Sequence, residues 1–88
     1  MVTFWAKALD VNGAGTTNGT NVQIWTYGGG ANQKWTISAT SGGYYRLTPT
    51  HATSMALDVN GASSTDGANV QIWTYGGGNN QQWIFQAP

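Results

Sequence analysis

Two of the three acidic side chains in this 88-residue sequence, Asp10 and Asp58, lie 48 positions apart (58 − 10 = 48) in matching surroundings. A carboxylate can accept hydrogen bonds from neighbouring sugar hydroxyls, and a charged acceptor makes the stronger bond. The alternative is a capping role, in which the carboxylate accepts backbone N–H groups of the Asn-Gly loop that follows. Because both acids recur at equivalent positions, we favour a ligand-binding role.

Two tryptophans, Trp25 and Trp73, repeat with the same spacing. A tryptophan in a strand is often a core residue, but alternation predicts that Val22 and Ile24 hold the core face and that Trp25 points the opposite way. An exposed indole calls for a partner. The apolar C–H face of a pyranose ring can stack on it, so the pattern favours sugar binding.

Side-chain amides accompany each acid and indole. A side-chain amide both donates and accepts hydrogen bonds, which suits hydroxyl groups, although the asparagines could also be simple turn residues after the glycine-rich loops. The glutamines that precede the last tryptophan of each copy are expected to point inward, satisfy loop backbone and orient the acid. The candidate sugar-binding residues are Asp10, Gln23, Trp25, Asn32 and Gln33, and Asp58, Gln71, Trp73, Asn80 and Gln81.

Catalysis is not expected from these sets. Glycoside hydrolysis usually needs two carboxylates that flank one bond, and each set has one. The sequence has no cysteine, and its single histidine, His51, lies in a polar connection where we expect a surface residue. No group of side chains has the spacing of metal ligands, so the expectation is neither enzyme, nor metal, nor cofactor.

Composition excludes further classes of protein. Three cations balance three acids, and three scattered cations form no basic stripe for nucleic acid. No apolar run reaches 18 residues, so we expect no membrane insertion. Thirteen glycines with many asparagines, threonines and serines predict a turn-rich, all-β chain. Five tryptophans, four tyrosines and two phenylalanines argue against disorder. We expect a soluble, secreted protein that binds mono- or oligosaccharides.

The elements that must position these residues come from an internal repeat. Residues 8–35 recur as residues 56–83, and 22 of the 28 aligned positions are identical. A period of this length is typical of repeat architectures. We predict one domain over residues 1–88, with repeat 1 at about 1–40 and repeat 2 at about 41–88.

Alternation predicts short strands around Leu9–Val11, at Asn21–Tyr27, Gln33–Ile37 and Tyr44–Leu47, and then a recurrence of the first three. The strand at Tyr44–Leu47 has no counterpart 48 positions earlier. Val2–Trp5 or a neighbouring chain could supply the missing pairing. An unpaired edge is a liability in a small sheet, so we expect the edge to be covered.

The order Leu-Asp-Val, Val-Gln-Ile-Trp and Gln-x-Trp resembles the ricin B-chain-like lectins, also known as carbohydrate-binding module family 13. The Gln-x-Trp signature stands here as Gln33-Lys34-Trp35 and Gln81-Gln82-Trp83. The resemblance implies a β-trefoil of three repeats that binds simple sugars, often galactosides. By the same resemblance, the acids, the exposed indoles and the asparagines match the sugar-binding residues of the family.

Two repeats stand here where that family has three, so we expect oligomerisation to complete the fold. Three chains supply 3 × 2 = 6 repeats, enough for two trefoils, whereas two chains supply four, so a trimer is favoured. The predicted function is a non-catalytic lectin with one shallow site per repeat and avidity through assembly. The alternatives are an accessory module that brings a glycoside hydrolase to a xylan-like polysaccharide, and an engineered or fragment-derived repeat chain with a structural role.

Overall fold

The computed structural model describes residues 7–87, which form short antiparallel strands joined by turns. No helix in this range is long and apolar enough to cross a bilayer. The predicted all-β class is confirmed. The strands are β1 (Lys7–Val11), β2 (Val22–Thr26), β3 (Trp35–Ala39), β4 (Tyr45–Pro49), β5 (Met55–Val59) and β6 (Val70–Thr74), and single 3₁₀ turns lie at Asn12–Ala14, Ala31–Gln33, Asn60–Ala62 and Asn79–Gln81.

The strands pair as three antiparallel hairpins, β1 with β2, β3 with β4 and β5 with β6. The first and third hairpins have the same register, in which Asp10 faces Gln23 and Asp58 faces Gln71 across the pair. Identical sequence in the two copies therefore produces identical pairing. A two-stranded hairpin has little stability alone, so the three hairpins depend on their shared core.

Two predicted strands shift along the chain. The third runs over Trp35–Ala39 and not Gln33–Ile37, because Gln33 ends a 3₁₀ turn in which its N–H donates to the carbonyl of Gly30 at 3.0 Å. The fourth runs over Tyr45–Pro49.

The recurrence of the third strand in repeat 2 is only partial in the described residues. Trp83 forms an isolated bridge with Tyr45, with N–H to carbonyl distances of 2.7 and 2.9 Å. The segment Val2–Trp5, which we considered as a substitute strand, lies outside the described residues.

The core draws on both repeats. Its buried side chains are Val11, Val22, Met55, Leu57 and Ile72. Trp35 and Trp83, the last tryptophans of each copy, are half-buried and pack against this cluster. Their indole N–H groups donate to the carbonyls of Leu9 and Leu57 at 3.0 and 3.1 Å, which ties each Gln-x-Trp segment to the strand that carries the acid.

The prediction that Ile24 lies on the core face is wrong. Ile24 is 65% exposed, although its equivalent in repeat 2, Ile72, is fully buried. The Ile72 side chain packs in the core cluster with side chains of both repeats. Its backbone also contacts repeat 1: the Gly19 N–H donates to the Ile72 carbonyl at 2.9 Å, and the Ile72 N–H donates to the Thr20 carbonyl at 3.0 Å. No segment in residues 7–87 pairs with the same edge of β2.

His51, expected at the surface, is half-buried. Its Nε2 lies 2.8 Å from the carbonyl oxygen of Gly15, and because a carbonyl only accepts, Nε2 carries the hydrogen. The polar connection between β4 and β5 is thereby tied to the loop that follows β1.

Candidate functional site

Asp58 is the centre of a hydrogen-bond network in repeat 2. It lies in β5 on the face opposite Leu57 and is only 4% exposed. Its Oδ1 accepts from Gln71 Nε2 at 3.1 Å, and its Oδ2 accepts from Asn80 Nδ2 at 3.2 Å and Gln81 Nε2 at 2.9 Å. The donors are side-chain amides and not the backbone N–H groups that a capping role would use.

Repeat 1 holds Asp10 in the same way. This acid is 5% exposed, and it accepts from Gln23 Nε2 at 3.2 Å, Asn32 Nδ2 at 3.3 Å and Gln33 Nε2 at 2.8 Å. The structure therefore brings acid, glutamines and asparagine together twice, as the shared spacing predicts.

Gln81 is fully engaged with the protein. Its Oε1 accepts the N–H groups of Gly76 and Gly77 at 2.8 and 3.1 Å, and its Nε2 donates to the Thr74 carbonyl at 3.0 Å as well as to Asp58. A primary amide has two N–H donors and one carbonyl acceptor, and all are used. Gln81, and likewise Gln33 in repeat 1, orients the acid and the glycine-rich loop, and has no group left for a ligand.

The side chain of Asn80 uses only some of its hydrogen-bonding groups within the protein. Asn80 uses both N–H groups, on Asp58 Oδ2 and on the Val59 carbonyl at 3.1 Å, so its Oδ1 is the group that remains. We expected Asn80 both to donate hydrogen bonds to a ligand and to accept them. In the structure only its acceptor, Oδ1, remains for a ligand. A Cβ on Gly78 would lie 2.8 Å from this oxygen, so the close approach of the loop requires glycine at position 78.

Several polar groups keep hydrogen-bonding capacity. A carboxylate offers about four acceptor positions, and the network occupies three, which leaves one on Asp58 Oδ1. Gln71 uses one of its N–H groups on that same oxygen. Its second N–H and its carbonyl oxygen have no partner in residues 7–87.

These groups border an open hollow of about 510 Å³. It brings together all five predicted site residues of repeat 2. Its lining residues are Asp58, Asn60, Gly61, Ala62, Gln71, Trp73, Thr74, Gly76, Gly78, Asn80 and Gln81.

Trp25 and Trp73 lie on the solvent-exposed face of their hairpins, as alternation predicts. Trp73 is 43% exposed and Trp25 is 58% exposed. Each indole directly follows an isoleucine, Ile72 or Ile24, in its strand. Because successive side chains of a strand point to opposite faces, each ring points away from the side of its isoleucine. Trp73 thereby forms an apolar wall beside polar groups.

Sequence reasoning missed the 3₁₀ turn Asn60–Ala62, which lines the hollow through its backbone and small side chains. Ala62 has φ of 52° and its equivalent Ala14 has φ of 53°, in the left-handed region that favours glycine. Strained backbone of this kind is frequent at binding sites. The signal available in the sequence was the Asn-Gly pair, which we interpreted only as a loop.

The described residues contain no group of three or more histidine, aspartate or glutamate side chains that could hold a metal ion. What the arrangement can do is bind a neutral, hydroxyl-rich molecule, with an apolar ring face beside fixed acceptors.

Comparison with known families supports this picture. The family model described as ricin-type beta-trefoil lectin domain-like matches residues 5–73 and again 51–88. No protein among the curated proteins compared matches the chain.

Solved structures show the same fold. The chain is similar to ThreeFoil, a designed 3-fold symmetric protein, at 51% identity and a TM-score of 0.85, over 88% of this chain and 54% of that one. It is similar to 1,3Gal43A, an exo-beta-1,3-galactanase from Clostridium thermocellum, at 35% identity and a TM-score of 0.83, over 89% of this chain and 17% of that one. A mosquitocidal holotoxin, at 24% identity, shares the fold with a TM-score of 0.82 over 94% of this chain and 10% of that one.

The chain spans about half of the first of these structures and smaller parts of the other two. With two of three repeats, it is a partial β-trefoil. It belongs to the ricin-type beta-trefoil lectin domain-like family, a class of carbohydrate-binding and generally non-catalytic domains.

Proposed function

We propose that this protein is a non-catalytic lectin with one shallow sugar site in each repeat and a preference for galactose-type ligands. The observation that carries the proposal is the hollow of repeat 2, where an exposed indole stands beside an acid and amides that retain hydrogen-bonding capacity. In repeat 1 the acid accepts the same three side-chain hydrogen bonds.

Binding would use three kinds of contact. The Trp73 ring stacks on the apolar face of a pyranose and buries it from water. Asp58 Oδ1 and Asn80 Oδ1 accept from sugar hydroxyls, and Gln71 donates to or accepts from a further one. Gln81 donates a hydrogen bond to Asp58 Oδ2 and so orients the carboxylate before a ligand arrives. This preorganisation lowers the entropy cost of binding.

The galactose preference rests on similarity. The galactanase acts on a galactose polymer by its printed name, and its identity to this chain is 35%. Open sites for one monosaccharide are weak, with a dissociation constant of about 1 mM, or about −4 kcal/mol. Two sites per chain, multiplied by assembly, raise the effective affinity through avidity. An extracellular location, where glycans are displayed, suits such a function.

A second candidate keeps the fold and changes the ligand. The similar galactanase is a much longer glycoside hydrolase, of which the matched part covers 17%. This chain could equally serve as an accessory module that holds a hydrolase on a xylan-like polysaccharide. The two candidates differ in whether a galactoside or a xylo-oligosaccharide binds.

The test removes both indoles with Trp25→Ala and Trp73→Ala in one chain. Trp25 is 58% exposed and Trp73 43% exposed, and neither belongs to the core cluster, so the fold should survive. Near-ultraviolet circular dichroism and the thermal midpoint would verify this. We expect binding of galactose and lactose to fall at least tenfold in isothermal titration. Tyr44→Ala is the matched control, because Tyr44 is an exposed aromatic residue that does not line the hollow of repeat 2.

Glucose and xylobiose complete the titration. Xylobiose bound more tightly than lactose would favour the accessory-module candidate. Undiminished lactose binding by the double variant would refute the site, and no binding of any saccharide by the wild-type chain would refute the function.

A further inference from the structure

The two repeats supply different parts to the contact between them: repeat 1 supplies a loop and repeat 2 supplies the edge of a strand. The loop of repeat 1, here residues 15–21, extends over β6 and adds to its edge, with Gly19 and Thr20 bonded to Ile72 as described above. Asn18 completes the contact, because its Oδ1 accepts from the Thr74 N–H at 2.7 Å and from the Thr74 hydroxyl at 3.0 Å.

Both halves of the same contact are present a second time and unused. The loop of repeat 2, residues 63–69, is equivalent to the loop of repeat 1, and its tip at Asp66 and Gly67 is exposed. The edge of β2 is equivalent to the edge of β6, and there Ile24 and Thr26 are exposed. Within residues 7–87 no backbone hydrogen bond joins the two halves.

The unused halves carry opposite charges that the internal contact lacks. Asp66 takes the place of Asn18, so its carboxylate could accept from the N–H and hydroxyl of Thr26. Lys7 faces Thr26 in the register of β1 and β2, and its Nζ donates to the Thr26 hydroxyl at 3.1 Å. The residue equivalent to Lys7 in repeat 2 is Met55, which is uncharged.

Among residues 7–87, Asp66 is the only acidic side chain that is exposed, because Asp10 and Asp58 are buried. A docked loop would therefore place this exposed carboxylate next to Lys7, with a second acceptor bond from Thr26. Opposite charges placed face to face set the register of an interface and disfavour other partners. The complementarity exists only between chains, since the internal contact pairs neutral side chains.

We propose that the loop of repeat 2 docks on the edge of β2 in a second copy of this chain, and thereby completes the sugar site of repeat 1 in that copy. The site part of this inference rests on the proposed function, whereas the interface does not. Its structural basis is the position of the loop of repeat 1, which lies beside Trp73 and Gln71, two residues that line the hollow of repeat 2.

The loop lies close to that site. A Cβ on Gly19 would be 3.9 Å from Trp73 Cζ3 and 3.9 Å from Gln71 Oε1. Gln71 is buried, whereas Gln23 is only half-buried, and Trp73 is less exposed than Trp25. The docked loop, with Gly67 in the place of Gly19, would give Trp25 and Gln23 the same neighbour.

The same geometry determines how many copies of the chain complete a trefoil. If the step from repeat 1 to repeat 2 is one third of a turn, as in a 3-fold symmetric trefoil, residues 7–87 leave room for one more repeat. An intact second copy would bring a fourth repeat onto the first, so it can donate only one of its repeats. Three copies satisfy this as two complete trefoils, in which one copy contributes a repeat to each and exchanges its internal contact for contacts with the other two copies.

The experiment reverses each charge and then exchanges them. Lys7→Asp and Asp66→Lys are each expected to weaken association about tenfold or more, because each variant places like charges face to face. The double variant Lys7→Asp with Asp66→Lys restores an opposite pair and should recover the wild-type assembly. Lys34→Asp is the control, since it changes the net charge equally at an exposed position away from this contact.

Native mass spectrometry and sedimentation velocity over a concentration series give the assembly state, and lactose titration gives the number of sites. We expect wild-type masses above the 9.3 kDa of one chain, with a trimer at saturation. A wild-type monomer at all concentrations, unchanged association in the single variants, or equal loss in Lys34→Asp would overturn the interface. Rescue by the double variant without any lactose binding would keep the interface and reject the proposed function.

Discussion

At the scale of single residues, the distinctive feature is an acid that is both buried and surrounded only by amide donors. Asp58 and Asp10 each accept three hydrogen bonds from side-chain amides, and hydrogen bonds to a charged acceptor are the stronger kind. One carboxylate thereby fixes three neighbours at once. The acid is a structural hub as well as the proposed ligand acceptor, so we expect its removal to affect stability and binding together.

We predict that Asp58→Ala lowers the free energy of unfolding by about 3 kcal/mol and removes the sugar site of repeat 2. The physical reason is that the amides of Gln71, Asn80 and Gln81 lose a shared acceptor, and each unsatisfied buried donor costs about 1–3 kcal/mol, partly relieved by relaxation. Urea unfolding measures the first effect and lactose titration the second. Ser38→Ala, at an exposed position of β3, should change stability by less than about 0.5 kcal/mol. A change as small for Asp58→Ala would show that the network is dispensable.

At the scale of elements, the 3₁₀ turns after β1 and β5 carry the strain. Each has an alanine in the left-handed region, Ala14 and Ala62, directly after a glycine that is also left-handed. The left-handed conformation costs an alanine about 1–2 kcal/mol. The turn is kept in place by its neighbours, since the N–H of Asn60 donates to the Asn69 carbonyl at 2.9 Å.

Relief of this strain is the expected result of Ala62→Gly. Glycine adopts the conformation without a steric cost, so we expect the free energy of unfolding to rise by about 1 kcal/mol. Sugar affinity should stay the same, because the backbone path is unchanged. The matched control is Ala39→Gly at the exposed end of β3, which should lose about 0.5–1 kcal/mol through glycine's backbone freedom. Equal losses in both variants, in chemical denaturation, would contradict the strain.

At the scale of the whole molecule, two repeats form a core that is closed on one side and open on the other. Ile72 and Ile24 occupy equivalent positions in identical local sequence, yet Ile72 is fully buried and Ile24 is exposed. The difference depends on their neighbours and not on the residues themselves, because Ile72 packs in the core cluster with side chains of both repeats. A third repeat would remove it.

The corresponding prediction is a chain extended after residue 87 by a second copy of residues 40–87, which continues the 48-residue period. The added repeat would occupy the open side from within the same chain, where its effective concentration is far higher than that of a separate copy. We expect a monomer by sedimentation at concentrations where the wild type assembles, and three sites in place of two per chain. Persistent assembly of the extended chain would show that the open side is not what drives association.

Much of the site could be predicted because its parts obey local rules. Strand alternation and a fixed 48-residue offset place the acid and the indole on the same side of each hairpin, and the Gln-x-Trp segment places the amides beside them. The use of each hydrogen-bonding group could not be predicted in this way. That Asn80 has only an acceptor left, and that Gln81 has nothing left, depends on distances between segments more than 20 residues apart.

By itself, the sequence determined the strand class, the repeat, the family and the identity of the residues around each acid, since these depend on residue type and spacing along the chain. The tertiary structure alone decided that Asp10 and Asp58 are buried, that Ile24 is exposed and that the two candidate sites differ in the exposure of their indoles. The physical reason is that burial is a property of neighbours, and the neighbour that covers β6 comes from repeat 1, whereas β2 has no such neighbour within residues 7–87.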